Sequence, residues 1–242
     1  MKNYSRSLLF ALFIIIFTFC IAGFSRPLFS DSNYLTYTVD PKPGNVHLFW
    51  KDDTDKIINT FPNLKQQTEK QGKQLIFAMN GGMYKTNYSP LGLYIENGKT
   101  LVPVNNANAD GNFYLKPNGI FYINNSNVAG VCQTSEFSSF TNVKYATQSG
   151  PMLLINGKIH PEFKNGSTHV NIRNGVGILP DKKILFVMSK TPVNLYDFAS
   201  YFKNQGCENA LYLDGFVSRV YYPEENWIQN DGRFGVMIGV TK

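Results

Sequence analysis

The chain has 242 residues, 43% of them hydrophobic and 17% charged, with 19 Phe and 14 Tyr. That composition builds a globular chain with a large core and excludes a low-complexity or disordered one. The formal charge is +6, but three of the 23 Lys and Arg (Lys2, Arg6 and Arg26) lie in an acid-free N-terminal leader. The other 20 stand against 17 acidic residues and are scattered, whereas a nucleic-acid surface needs them clustered on one face, so nucleic acid is excluded as a partner.

Lys2 and Arg6 precede a 17-residue, almost purely apolar stretch from Leu8 to Phe24. Residues 1–25 therefore read as a signal peptide, with Cys20-Ile21-Ala22 as its small-x-small cleavage site, or as a signal anchor at the lower limit for spanning a bilayer. The charge bias keeps Lys2 and Arg6 in the cytoplasm. Both versions export the remainder to the periplasm or beyond, with membrane contact only through this segment. Outside the leader stand Cys132 and Cys207, which form either a disulfide in an oxidising compartment or two buried thiols.

Residues 34–39 and 46–50 read as strands on either side of a Pro41-Lys42-Pro43-Gly44 turn. Asp52 and Asp53 are placed to cap a helical region that is interrupted at Pro62 and stopped by Gly72. Short apolar runs follow at residues 75–79, 91–95, 119–123 and 152–155. Asn97-Gly98, Asn124-Asn125 and Asn156-Gly157 close the hairpins, since a type I′ turn needs positive φ at both central residues. Residues 175–179 and 184–189 form a further hairpin. Leu195, Phe198, Ala199 and Phe202 at i, i+3, i+4 and i+7 predict an amphipathic helix over residues 193–204, ended by Gly206. Strands at 210–213 and 234–240 complete an α+β fold: a single domain from about residue 30 to 242, with a mixed, mainly antiparallel β-sheet and a few helices.

Four clusters place polar groups at the ends of apolar strands, where a rigid sheet aims them. In the first, Asn80 is followed by Gly81 and Gly82, which allow backbone N–H groups close to a ligand. The second is Gln148-Ser149-Gly150, opening the strand at 152. The third is His169-Val170-Asn171-Ile172-Arg173-Asn174-Gly175-Val176-Gly177, in which Arg173 has the fork that grips a phosphate oxygen pair. The fourth is Leu213-Asp214-Gly215-Phe216-Val217-Ser218, an acid on a hydrophobic strand, costly there unless paired or used. Each cluster also has an ordinary reading: turn capping for Asp214, a strand-edge ion pair for Arg173, backbone satisfaction for Asn80 and Gln148. No His, Asp or Cys spacing suggests a metal centre. The oxygen-rich segment 105–112 offers Ca²⁺ ligands but lacks the acidic density of an EF-hand loop.

The order and wording of AMNGGMY, SPLGLYIENG, KPNGIFYI, QSGPMLLINGKI, RNGVGI and LYLDG, from Leu75 to Val240, resemble the phosphodiester glycosidase domain family in its short bacterial exported branch. The resemblance implies hydrolysis of a glycosyl phosphodiester without a required cofactor. Asn80, Gly81, Gly82, Gln148, Ser149, Gly150 and Ser218 would bind substrate, and Asp214 and Arg173 would be catalytic. Asp214 would act as nucleophile or as base towards water, and Arg173 would stabilise the departing phosphate. His169 is the candidate for a further acid, on the same face as Arg173 if the segment is a strand; Glu136, Glu162 and Asp110 are others. Family members often carry Leu-Asp-Gly-Gly-Gly-Ser where this chain has Phe216 and Val217. That departure motivates two alternatives: a non-catalytic glycan-binding protein of the envelope, and a phosphodiesterase cutting the P–O bond.

Overall fold

Three antiparallel sheets surround a shared core in the computed structural model, which describes residues 32–242; the leader lies outside the described residues. The first sheet runs β1 (Tyr34–Val39), β12 (Ile184–Ser189), β11 (Asn174–Ile178), β13 (Ala210–Tyr212), β9 (Met152–Ile155) and β10 (Lys158–Ile159). The second runs β15 (Trp227–Ile228), β14 (Val220–Tyr222), β3 (Leu75–Asn80), β16 (Met237–Thr241) and β2 (Val46–Phe49). The third runs β5 (Lys99–Val102), β4 (Tyr94–Glu96), β8 (Val143–Ser149), β6 (Gly119–Asn124) and β7 (Ala129–Gln133). Two α-helices occur among the described residues, α1 (Phe61–Lys70) and α2 (Leu195–Asn204). Residues Ser32–Lys242 form one compact unit.

The side-chain period of two explains why both faces of these sheets are covered. Along β12, Ile184, Phe186 and Met188 point into the central core, which also takes Phe77 and Met79 from β3 and Phe121 and Ile123 from β6. The alternate residues Leu185 and Val187 pack outward on Phe198, Ala199 and Phe202 of α2. Burying each of those phenylalanines stabilises the fold by about 1.5–3 kcal/mol. Helix α1 covers the second sheet in the same way, through Phe61 and Leu64 against Leu75 and Met237.

The helix ends follow from local chemistry. Thr60 caps α1 by accepting from Asn63 N, and Pro62 sits in the first turn. Proline there starts the helix instead of interrupting it, because its missing N–H would have had no partner. Asp52 does not cap the helix; its carboxylate accepts from Thr54 N and Lys56 N in a turn. Gly72 and Gly206, both at positive φ, end the helices in Schellman motifs, with Lys73 N bonded to Thr68 O and Cys207 N to Phe202 O. Asn97-Gly98 and Asn156-Gly157 have positive φ at both positions, as the hairpins require.

Cys132 and Cys207 are free and buried. They pack under different sheets, Cys132 beside Ile120 and Phe137, Cys207 beside Phe202 and Ala210, so the fold keeps them apart. Burial pushes both thiols up to about 12.

Candidate functional site

The C-terminal end of β3 in the second sheet meets the start of β11 and the end of β13 in the first, and Asn80 ties them together. Asn80 is fully buried. Its Nδ2 donates to Asp214 O at 2.7 Å, and its Oδ1 accepts from Arg219 N at 2.9 Å and from Asn174 Nδ2 at 3.0 Å. Asp214 N donates to Gly81 O, and Leu213 N to Asn174 O. Three of the four clusters read from the sequence therefore converge on one point.

Asp214 is half-buried and does not cap the 3₁₀ turn of Gly215–Val217 that follows. Its charge is felt at two phenols, Tyr84 and Tyr212. Tyr84 is pushed up first by burial and then by Asp214, and its hydroxyl donates to Arg233 O at 2.7 Å. Tyr212 is also raised by burial, with the Arg173 guanidinium and the Gly215 N–H pulling the other way.

Arg173 is only 3% exposed. Its Nε donates to Val193 O at 2.7 Å, one terminal nitrogen to Tyr212 Oη at 3.0 Å and the other to His169 O at 3.0 Å. Among the described residues it makes no ion pair. A permanently charged group that is buried without a counter-ion is expensive, even with three good acceptors. The fork is thus not held open for a bidentate grip as the sequence reading had it. It faces Tyr212, and through that hydroxyl the neighbourhood of Asp214.

Several other expected positions differ. His169 is exposed, and neither it nor Arg173 lies in a strand, so the even spacing does not put them on one face; His169 contributes its backbone carbonyl to Arg173. Gln148 is the penultimate residue of β8 and is buried. Its Oε1 accepts from Leu93 N and Asn105 N, while Nε2 donates to Asn105 O, so the amide fastens the 91–105 loop. Ser149 and Gly150 are buried beside it, and a Cβ on Gly150 would stand 2.7 Å from Asn118 Cβ. The Gly81 N–H is spent on Val236 O. At Gly82 a Cβ would meet Thr147 Oγ1 at 2.2 Å and Gln148 O at 2.6 Å, so this glycine lets β3's continuation press on β8. Ser218 is buried and donates to Gly215 O at 3.1 Å. Glu136 serves a capping box with Gln133. Among the described residues no three His, Cys, Asp or Glu gather as a metal site.

Sequence reasoning gave no role to Tyr84, Asn174 and Tyr212, although they lie within the polar clusters, and passed over Arg219, Asp231 and Arg233. The last three line an open cleft of about 530 Å³ with Tyr84, Tyr88 and Val217. A usable signal existed for Tyr212: it immediately precedes Leu213-Asp214-Gly215, and Gly215 is where its hydroxyl needs room. A Cβ there would lie 1.7 Å from Tyr212 Oη. Gly215→Ala is accordingly expected to push the phenol off Arg173 and to destabilise the fold by about 1–3 kcal/mol, read by chemical denaturation.

A family profile described as phosphodiester glycosidase matches residues 73–241. The chain belongs to the phosphodiester glycosidase family. It is 40% identical over 186 residues to the uncharacterised protein YigE of Escherichia coli K12, covering 76% of this chain and 72% of that one. Among solved structures, the zebrafish N-acetylglucosamine-1-phosphodiester alpha-N-acetylglucosaminidase catalytic domain, auto-inhibited by its pro-peptide, superposes with a TM-score of 0.52 at 16% identity, over 86% of this chain and 88% of that one. A hypothetical protein from Synechocystis gives 0.53 at 14% identity, over 86% of this chain and 59% of that one. A Burkholderia pseudomallei protein named "Putative exported protein" gives 0.53 at 10% identity, over 86% and 73%. At these identities the structural likeness speaks for the fold.

Proposed function

We propose that this protein is an exported hydrolase that cleaves the glycosidic bond of a sugar-1-phosphodiester in envelope or extracellular glycans. One observation carries the reading: a half-buried carboxylate, Asp214, and a buried, unpaired guanidinium, Arg173, act on the same phenol, Tyr212. Cleavage at an anomeric carbon separates charge, with a positive oxocarbenium-like sugar on one side and an anionic phosphate on the other. A fixed anion and a fixed cation that share Tyr212 stabilise the two halves, and neither must reorganise during the reaction.

The bond between the anomeric carbon and the phosphate oxygen breaks, and its electron pair leaves with the phosphate. A water oxygen bonds to the carbon and gives up one proton, which ends in solvent or on the phosphate, so the products are the free sugar and a phosphomonoester. Because the departing phosphomonoester dianion is the base of an acid with a pKa of about 6, it leaves without a strong acid, and His169 has no step to perform. Asp214 works at the anomeric carbon; Asn80 and Gly81 hold its backbone. The reading needs no cofactor. Export rests on the leader at residues 1–25 and is supported by the name of the Burkholderia neighbour. No helix among the described residues is long and apolar enough to cross a membrane.

The test is turnover of a panel of sugar-1-phosphodiesters in ¹⁸O-water. Label is expected in the sugar. Label in the phosphate would overturn the reading in favour of P–O cleavage, and binding without turnover across the panel would leave a glycan-binding protein.

A further inference from the structure

The cleft beside Asp214 holds charged groups that the reaction as written does not use. Arg219 grips Asp231 bidentately, Nε to Oδ1 at 2.9 Å and a terminal nitrogen to Oδ2 at 2.8 Å, while its other terminal nitrogen donates to Ser218 O. Arg233 is exposed and makes no ion pair among the described residues. Tyr84 and Tyr88 stack at 5.7 Å to form one wall. Two links join this cleft to the reaction centre: Arg219 N is bonded to Asn80 Oδ1, and Tyr84 feels the charge of Asp214.

We infer that the cleft is the subsite for the phosphate and its aglycone, and that Asp231 sets its specificity for a diester over a monoester. The inference rests on the hydrolytic reading of Asp214 for its biological sense. Its physical content is charge matching. Two guanidinium groups and one carboxylate leave a single net positive charge facing the ligand. A phosphodiester carries one negative charge; the monoester product carries nearly two above neutral pH. Without Asp231 the two arginines would hold the product more tightly than the substrate. With it, the net charge is halved, so the pull towards the more highly charged product is weaker and the extra charge that appears on cleavage faces a carboxylate. The stacked phenols offer an aromatic wall to the aglycone. Each unit of ligand charge at a solvated separation of one or two side chains is worth on the order of three- to ten-fold in affinity.

The probes are phenyl phosphate and methyl phenyl phosphate, which share a ring and differ in charge, titrated calorimetrically at low salt and above neutral pH. Wild type is expected to favour the monoester by no more than roughly three- to ten-fold. Asp231→Asn should tighten the monoester by roughly three- to ten-fold and the diester by less, Asp231→Glu should restore the wild-type ratio, and Arg219→Gln should weaken both ligands. An unchanged monoester-to-diester ratio in Asp231→Asn, or affinities unmoved by Arg219→Gln in a protein that melts as wild type does, would overturn the inference. Binding is read without turnover. A protein that shows this charge pattern but hydrolyses no sugar phosphodiester would refute the proposed function and leave the anion subsite standing.

Discussion

Asp214→Asn is expected to lower kcat on a nitrophenyl-phosphoryl sugar by roughly 10²- to 10⁴-fold while leaving KM close to that of wild type. The amide keeps the shape of the carboxylate and removes its charge. The local fold should survive, because two backbone contacts hold position 214 whatever its side chain: Asn80 Nδ2 to Asp214 O, and Asp214 N to Gly81 O. A loss of turnover with binding retained therefore reports chemistry and not misfolding. The competing role, an aspartate that merely caps the following turn, predicts a stability change and little kinetic effect; the side chain does not cap that turn. An Asn variant that kept more than about a tenth of wild-type turnover would remove Asp214 from the mechanism.

What could be read from the sequence divides along physical lines. Asn97-Gly98, Asn156-Gly157 and Gly206 were legible because a positive φ is a local demand that few residues meet. Helix α2 was legible because its apolar stripe repeats with the helical period. Pro62 misled because its meaning depends on whether it falls inside a helix or in its first turn, and Thr60 decides that. Strand β7 (AGVCQ) is short, with little alternation to mark it. Within the site, the clusters at Asn80, Arg173 and Asp214 were visible as polar groups on apolar strands, and they do meet. Gln148 looked the same in sequence but turns to the backbone of Leu93 and Asn105. A buried amide bonded to a loop and an amide presented to a ligand leave the same trace in a sequence. Arg219 and Asp231 stand 12 residues apart in irregular segments, so their pairing is a tertiary fact that no period announces.

Arg173→Met is expected to cost roughly 10²- to 10³-fold in kcat and yet to leave stability within about 2 kcal/mol of wild type. The second half follows from where the lost hydrogen bonds go. Val193 O still accepts from Asn171 N, Tyr212 Oη lies close against Gly215, and His169 O belongs to an exposed residue that water can reach. No acceptor is stranded, while the desolvation of an unpaired buried cation is relieved; a hydrophobic chain of similar length in place of a buried charge is often neutral or stabilising. Arg173→Lys keeps the charge without the fork, so it should recover part of the rate if the cation acts through its field, and little if a guanidinium anchored at three points is needed to position Tyr212. A structural arginine would behave in the opposite sense: the Met variant would lose several kcal/mol in denaturation, and its turnover per folded molecule would match wild type. That pairing of results would detach the guanidinium from the chemistry and leave Asp214 without the cation that the charge separation requires.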